Sequence, residues 1–124
     1  MAKLLLVDDS PTVLKVMSAS LMAKGFAVTT AATGAAGLAA AARERPDAIV
    51  LDVYLPDMSG LDVLAKLRES PELNAVPVLL LTGQDDPANV IRGMELGARG
   101  FLAKHSTSPK VLIQKLQEIL AARP

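Results

Sequence analysis

At 124 residues, 51% hydrophobic and 21% charged, the chain is sized for one folded domain with its own core, which argues against disorder. Thirteen basic and thirteen acidic side chains cancel, and with one tyrosine, two phenylalanines and no tryptophan there is neither a cationic field nor a base-stacking surface, which argues against direct binding of nucleic acid or an anionic membrane. The lack of cysteine removes disulfides, thiol catalysis and Cys-ligated zinc, and MAKLLLVDD turns acidic too soon for a signal peptide, so the expected setting is soluble and cytoplasmic.

Short apolar runs bounded by turn signals read as buried parallel strands. The first, LLLV at 4–7, ends in Asp8-Asp9. Ser10 then caps a helix with Pro11 in its first position, Val13, Leu14, Val16, Met17 and Leu21 recur at helical spacing, and Gly25 stops it. Residues 26–31 read as a second strand, and an alanine-rich helix over about 33–45 ends before Pro46. The third strand, 47–52, contains AIVL and ends in Asp52. After the loop YLPDMSG (54–60), Leu61, Leu64 and Leu67 share one face of a helix closed by Pro71.

Residues 76–82 read as the fourth strand, whose VLLL ends in Thr82. Pro87 opens a helix through Val90, Ile91 and Met94, with Gly97 as its cap. Gly93 inside that helix costs about 1 kcal/mol relative to alanine, so the helix should be comparatively weak. The fifth strand, 100–103, ends in Lys104. Ser108-Pro109 repeats the cap-plus-proline start, and Leu112, Ile113, Leu116, Ile119 and Leu120 mark the last apolar face. The alternation gives an α/β fold of five βα units, (βα)5, as a single domain over 1–124 without linker, repeat or low-complexity segment.

In an open parallel sheet, ligands bind just beyond the carboxyl ends of the strands. Asp8, Asp9, Asp52, Thr82 and Lys104 should therefore gather at one edge. Clustered carboxylates resist ionisation without a compensating cation, and hard oxygen donors favour Mg²⁺ or Mn²⁺ over zinc or copper. A carboxylate can also act as a nucleophile toward phosphorus, and phosphoryl transfer needs little beyond positioning and charge neutralisation. Singly, each residue has a plainer explanation: Asp8 and Asp9 favour a helix amino terminus, Thr82 is a strand residue and Lys104 a solvated charge. Their joint occurrence at the ends of four strands is what points to a site.

The segments LLLVDDS, IVLDVYLPDMSGLDVL, VPVLLLTGQ and GARGFLAKH resemble the receiver domain of response regulators in two-component signalling (CheY-like), from about Lys3 to Ala122. The intervals of 30 positions from Asp52 to Thr82 and 22 from Thr82 to Lys104 agree with that family. The resemblance implies a flavodoxin-like, doubly wound five-stranded parallel sheet of order 2-1-3-4-5. It implies that Asp52 is the phosphoacceptor, taking a phosphoryl group from a phosphohistidine on a sensor kinase or histidine phosphotransfer protein. Asp9, Asp52 and the backbone carbonyl of Tyr54 would ligate Mg²⁺, with Asp8 acting mainly through a bound water. Thr82 and Lys104 would hold phosphoryl oxygens. Phe101 would move inward as Thr82 turns, unless it simply fills a gap. Such a domain is a signalling module that assists its own phosphorylation and dephosphorylation. Its fourth helix, fifth strand and fifth helix would form the output face toward an unknown partner, as a monomer or a phosphorylation-dependent dimer.

Two features depart from or tune that pattern. The family lysine usually precedes a cis proline, whereas Lys104 precedes His105, the single histidine. A cis bond before a non-proline costs about 2.5–4 kcal/mol, so the 104–105 bond is expected to be trans and His105 a solvated loop residue. Tyr54 and Gln84 should flank the path of the attacking water, and the bulk of Tyr54 leads us to expect slow autodephosphorylation. The alternative is a pseudo-receiver that docks partners without being phosphorylated. A flavin or nucleotide binder would need a neutral or hydroxyl-rich loop after the first strand, but DDSPT is acidic and neither GxGxxG nor a P-loop occurs. A haloacid-dehalogenase-type phosphatase would need DxD there and more chain. The last helix and the tail AARP leave open whether the chain acts alone or within a longer protein.

Overall fold

The computed structural model describes residues 2–83, 86–104 and 107–122. Strand and helix alternate throughout: β1 Lys3–Val7, α1 Pro11–Ala23, β2 Ala27–Ala31, α2 Gly34–Glu44, β3 Ala48–Asp52, α3 Gly60–Glu69, β4 Val78–Thr82, α4 Pro87–Glu95, β5 Gly100–Ala103 and α5 Pro109–Ala121. The five strands form one parallel sheet in the order β2-β1-β3-β4-β5, the expected (βα)5 arrangement. Among the described residues, no helix is long and apolar enough to cross a membrane.

Why the strands read as unbroken apolar runs follows from their burial on both faces. Side chains alternate across a strand, so Leu5, Val7, Ile49, Leu51, Val78 and Leu80 meet one layer of helices, with Ala40 and Ala41 of α2 and Val63, Leu64 and Leu67 of α3. Leu4, Leu6, Val50, Leu79 and Leu81 meet the other layer, built from Met17 and Leu21 of α1 and Leu112, Ile113, Leu116 and Ile119 of α5. Four helices start as their sequences dictate: Ser10, Thr33, Ser59 and Ser108 each accept a hydrogen bond from a first-turn N–H. Gly25 and Gly97 take positive φ after α1 and α4, where a side chain would be strained.

Three strands begin later than the periodicity suggests. Phe26 is tied back to α1, its N–H donating to the Leu21 carbonyl, so β2 begins at Ala27. Asp47 precedes β3, which begins at Ala48. Val76 closes a turn onto Leu73, and Pro77 has no N–H to give a ladder, so β4 begins at Val78. The carboxyl ends of the strands, which carry the chemistry, fall where the sequence places them.

Helix α4 is held differently from its neighbours. Gly93 is its one buried residue, and a Cβ there would run into the Leu80 side chain on β4. The glycine that weakens the helix is thus what lets it lie close to the sheet. At its far end, the Arg68 guanidinium of α3 donates to the carbonyls of Leu96, Gly97, Asn74 and Val76 at 3.0–3.2 Å. That fork ties the end of α4 to the connection between α3 and β4.

Candidate functional site at the carboxyl edge of the sheet

Parallel pairing places the ends of β1, β3, β4 and β5 side by side. Asp52 lies opposite Leu81 and Thr82 opposite Ala103, while the Lys104 N–H donates to the Thr82 carbonyl at 2.9 Å. Among the described residues, the buried polar or charged side chains are Asp8, Asp52 and Thr82, at 2%, 1% and 3% exposure. All three stand at this edge. An aliphatic core that buries just these polar groups has placed them there at a cost that needs a compensating role.

Lys104 reaches into the carboxylates. Its Nζ lies 2.8 Å from Asp52 Oδ2, 2.9 Å from Asp8 Oδ1 and 3.5 Å from Asp9 Oδ1. Backbone donors add to this: the Tyr54 N–H donates to the other Asp52 oxygen, Oδ1, at 3.0 Å, and the Ser10 N–H donates at 2.8 Å to the same Asp8 Oδ1 that Lys104 meets. Asp9 is half exposed. Gly60, the first residue of α3, lies so close to the Asp52 carbonyl that any Cβ would collide with it. This glycine lets the loop after β3 fold back beneath the site, with its N–H donating to the Val53 carbonyl at 2.7 Å.

The electrostatics follow from this crowding. Burial pushes the Asp52 pKa up from the ordinary carboxylate range, the Lys104 and Tyr54 hydrogen bonds pull it back, and the charge of Asp8 pushes it up again. For Lys104, burial works against the ammonium, but its hydrogen bonds to Asp52 and Asp8 prevail and hold its pKa well above that of an ordinary lysine. Three carboxylates against one ammonium still leave the cluster two charges negative when all are ionised.

A hard divalent cation suits that excess. One oxygen from each of Asp8, Asp9 and Asp52 lies within 4.8 Å of the others, and Asp8 Oδ2 is buried without a hydrogen-bond partner. An all-oxygen donor set with an unsatisfied buried acceptor fits Mg²⁺ or Mn²⁺ and does not fit a soft metal.

Tyr54, which follows β3, is 56% exposed. Its ring passes beside Gly83, and its hydroxyl donates to Asp86, while Asn89 Nδ2 donates to the Tyr54 oxygen at 3.1 Å. Phe101 of β5, three residues before Lys104, is exposed. Gln84, His105 and the 104–105 bond lie outside the described residues.

Spacing in the sequence gave no sign of three residues around the site. Asp86 and Asn89 become partners of Tyr54 only through a contact between the loop after β3 and the start of α4. Asp57 accepts from the Gly34 and Ala35 N–H groups at 2.7 and 3.0 Å, binding the site loop to the start of α2. The acidic residue in YLPDMSG was visible, but its target 23 residues earlier was not.

Fold and site together define a doubly wound parallel-sheet module with an acidic cluster at its carboxyl edge, and comparison with known proteins names the family. The chain belongs to the response regulator receiver domain family, whose model matches residues 4–117. It is 46% identical over 111 residues to the probable transcriptional regulatory protein TcrX of Mycobacterium tuberculosis, covering 89% of this chain and 46% of that protein. The chain thus spans about half the length of that relative. It is 33% identical over 121 residues to the protein PilH of Pseudomonas aeruginosa, covering 98% of this chain and 99% of that protein. Among solved structures, the chemotaxis response regulator CheY4 of Vibrio cholerae matches with a TM-score of 0.89 at 36% identity, covering 96% of this chain and 98% of that one.

Proposed function

We propose that this receiver domain accepts a phosphoryl group on Asp52 from a phosphohistidine of a sensor kinase or histidine phosphotransfer protein. The observation that carries the reading is the burial of Asp8, Asp52 and Thr82 at one sheet edge, with the Lys104 ammonium among them. In the forward step an Asp52 carboxylate oxygen attacks phosphorus, the P–N bond breaks as the P–O bond forms, and the leaving imidazole nitrogen is left to take up a proton. Lys104, already 2.8 Å from Asp52, pairs with one phosphoryl oxygen, and the Thr82 hydroxyl donates to another. Asp9, Asp52 and the Tyr54 carbonyl, with Asp8 through a water, would hold Mg²⁺ or Mn²⁺, which supplies charge neutralisation at the phosphoryl oxygens. Water later attacks phosphorus, which restores the carboxylate and releases inorganic phosphate, and Tyr54 slows that attack by its bulk.

The readout is the face of α4, β5 and α5. Ile91, Met94, Phe101 and Val111 are exposed there, a set of apolar groups a partner can cover. With one buried residue, against two to four in each of the others, α4 is also the helix that is easiest to bias. The output is a docking protein or a further domain, in a cytoplasmic setting, with neither nucleic acid nor membrane as a direct partner. The reading is tested by titrating the Mg²⁺-loaded protein with beryllofluoride while following amide resonances. Shifts centred on Asp52, Thr82 and Lys104 that spread to α4 and Phe101, and vanish in Asp52→Asn, are expected. Resonances that stay put, or move equally in the variant, would instead favour a docking module independent of phosphorylation.

A further inference from the structure

Helix α4 is the exception among the five helices. Ser10, Thr33, Ser59 and Ser108 each cap the helix they precede, whereas Asp86, in the cap position of α4, makes no side-chain cap hydrogen bond. Aspartate is among the best cap residues, so its carboxylate is engaged elsewhere. It accepts from the Tyr54 hydroxyl and from Asn89 Nδ2, the latter at 2.8 Å, and the amide of Asn89 also donates to the Tyr54 oxygen. The three side chains close a triangle.

The triangle spans a gap that matters. Tyr54 stands two residues after Asp52, and its own N–H donates to Asp52 Oδ1 at 3.0 Å. Its ring runs past Gly83, where an added Cβ would sit 3.6 Å from Tyr54 Cε2, and its hydroxyl ends at the first turn of α4. One end of this chain of contacts is therefore the Asp52 carboxylate and the other is the cap of α4.

We propose that Tyr54, Asp86 and Asn89 form a strap across the β3–β4 end of the site, and that opening it returns Asp86 to α4 as its amino-terminal cap. While the strap is closed, Asp86 Oδ2 is held by the hydroxyl and by the Asn89 side chain, and the carboxylate makes no side-chain cap hydrogen bond on α4. Any group that remakes the hydrogen bonds of Asp52 Oδ1 acts on the residue that carries the strap. Strap opening and site occupancy are then linked, and the linkage is reciprocal: opening the strap must favour occupancy as much as occupancy favours opening. Tyr54 is in this sense a positioning residue, coupling the site to the order of α4. The link to occupancy rests on the phosphoacceptor reading above, but the exchange between strap and cap does not.

The test uses amide hydrogen exchange in the free protein. Tyr54→Phe removes only the hydroxyl and keeps the ring. The Ala88 and Asn89 amides, which a cap on Asp86 would engage, are expected to exchange about five-fold more slowly in the variant, the factor one capping hydrogen bond supplies. In an Asp86→Ala background, Tyr54→Phe is expected to change nothing at these amides. Equal or faster exchange in Tyr54→Phe, or the same slowing without Asp86, would overturn the strap. A second arm adds Mg²⁺ and beryllofluoride, which is expected to slow the same amides in the wild type and to bind several-fold tighter to Tyr54→Phe. Equal affinity for the two proteins would overturn the link to occupancy. Failure of both to bind would overturn the phosphoacceptor reading and that link with it, with the free-protein comparison still deciding the strap.

Discussion

Lys104 is the cation that holds the carboxylates of the site together. Its ammonium is the counter-ion of two buried carboxylates, and removing one partner of such a cluster is far costlier than the net worth of the pair. Its raised pKa sets the sign: the stabilisation is fully present below the ordinary lysine value and is lost only as pH rises through the higher folded value. At neutral pH it is therefore complete. Lys104→Met is expected to lower metal-free stability at pH 7 by about 3 kcal/mol in chemical denaturation, with millimolar Mg²⁺ restoring part of the loss. The deficit should shrink as pH falls, because Asp52, whose pKa burial already raises, can then take a proton. A deficit that is unchanged by Mg²⁺ and flat with pH would show that Lys104 is not the counter-ion. Asp8, Asp9, Asp52, Thr82 and Lys104 were legible in the sequence because each closes a strand, and parallel topology brings strand ends together. The partners of Tyr54 were not, since a contact between a loop and the start of a distant helix leaves no period or spacing to read.

The elements around the site are pinned by single side chains reaching out of loops. Asp57 joins Thr33 at the start of α2, so two side chains satisfy the first N–H groups of that helix. Those hydrogen bonds, from Ala35 first and then Gly34, hold the Asp57 carboxyl below the usual carboxylate range. A lowered carboxylate pKa contributes stability that is present above the ordinary value and is lost as pH falls through the folded value. Asp57→Ala is expected to lower the Tm by a few degrees at pH 7, with the difference closing as pH falls below about 4. Thermal melts at both pH values check this, and a gap that persists in acid would mean that Asp57 acts by packing. Helix α4 shows a different division between what spacing reveals and what it hides. Gly93 announced a weak helix, but its closeness to Leu80 and the anchoring of its end by Arg68 depend on tertiary contacts. Strand starts slipped for the same reason, as Val76 is in a turn that only the structure reveals.

At the scale of the whole molecule, an aliphatic core in a chain with 2% aromatic residues supports a polar sheet edge and exposed apolar side chains on α4, β5 and α5. The zero net charge matters here, because it leaves recognition to that local edge and face, with no long-range field to direct it. The fold order was legible because four motifs occur in sequence at fixed intervals, and the structure and the family match both bear it out. The role of Asp52 is the central claim. It is tested most directly by intact mass after incubation of the protein with Mg²⁺ and acetyl phosphate. A single phosphoryl adduct on the wild type, absent without Mg²⁺ and absent from Asp52→Asn, is the expected result. No adduct on the wild type, or one that survives in Asp52→Asn, would contradict it.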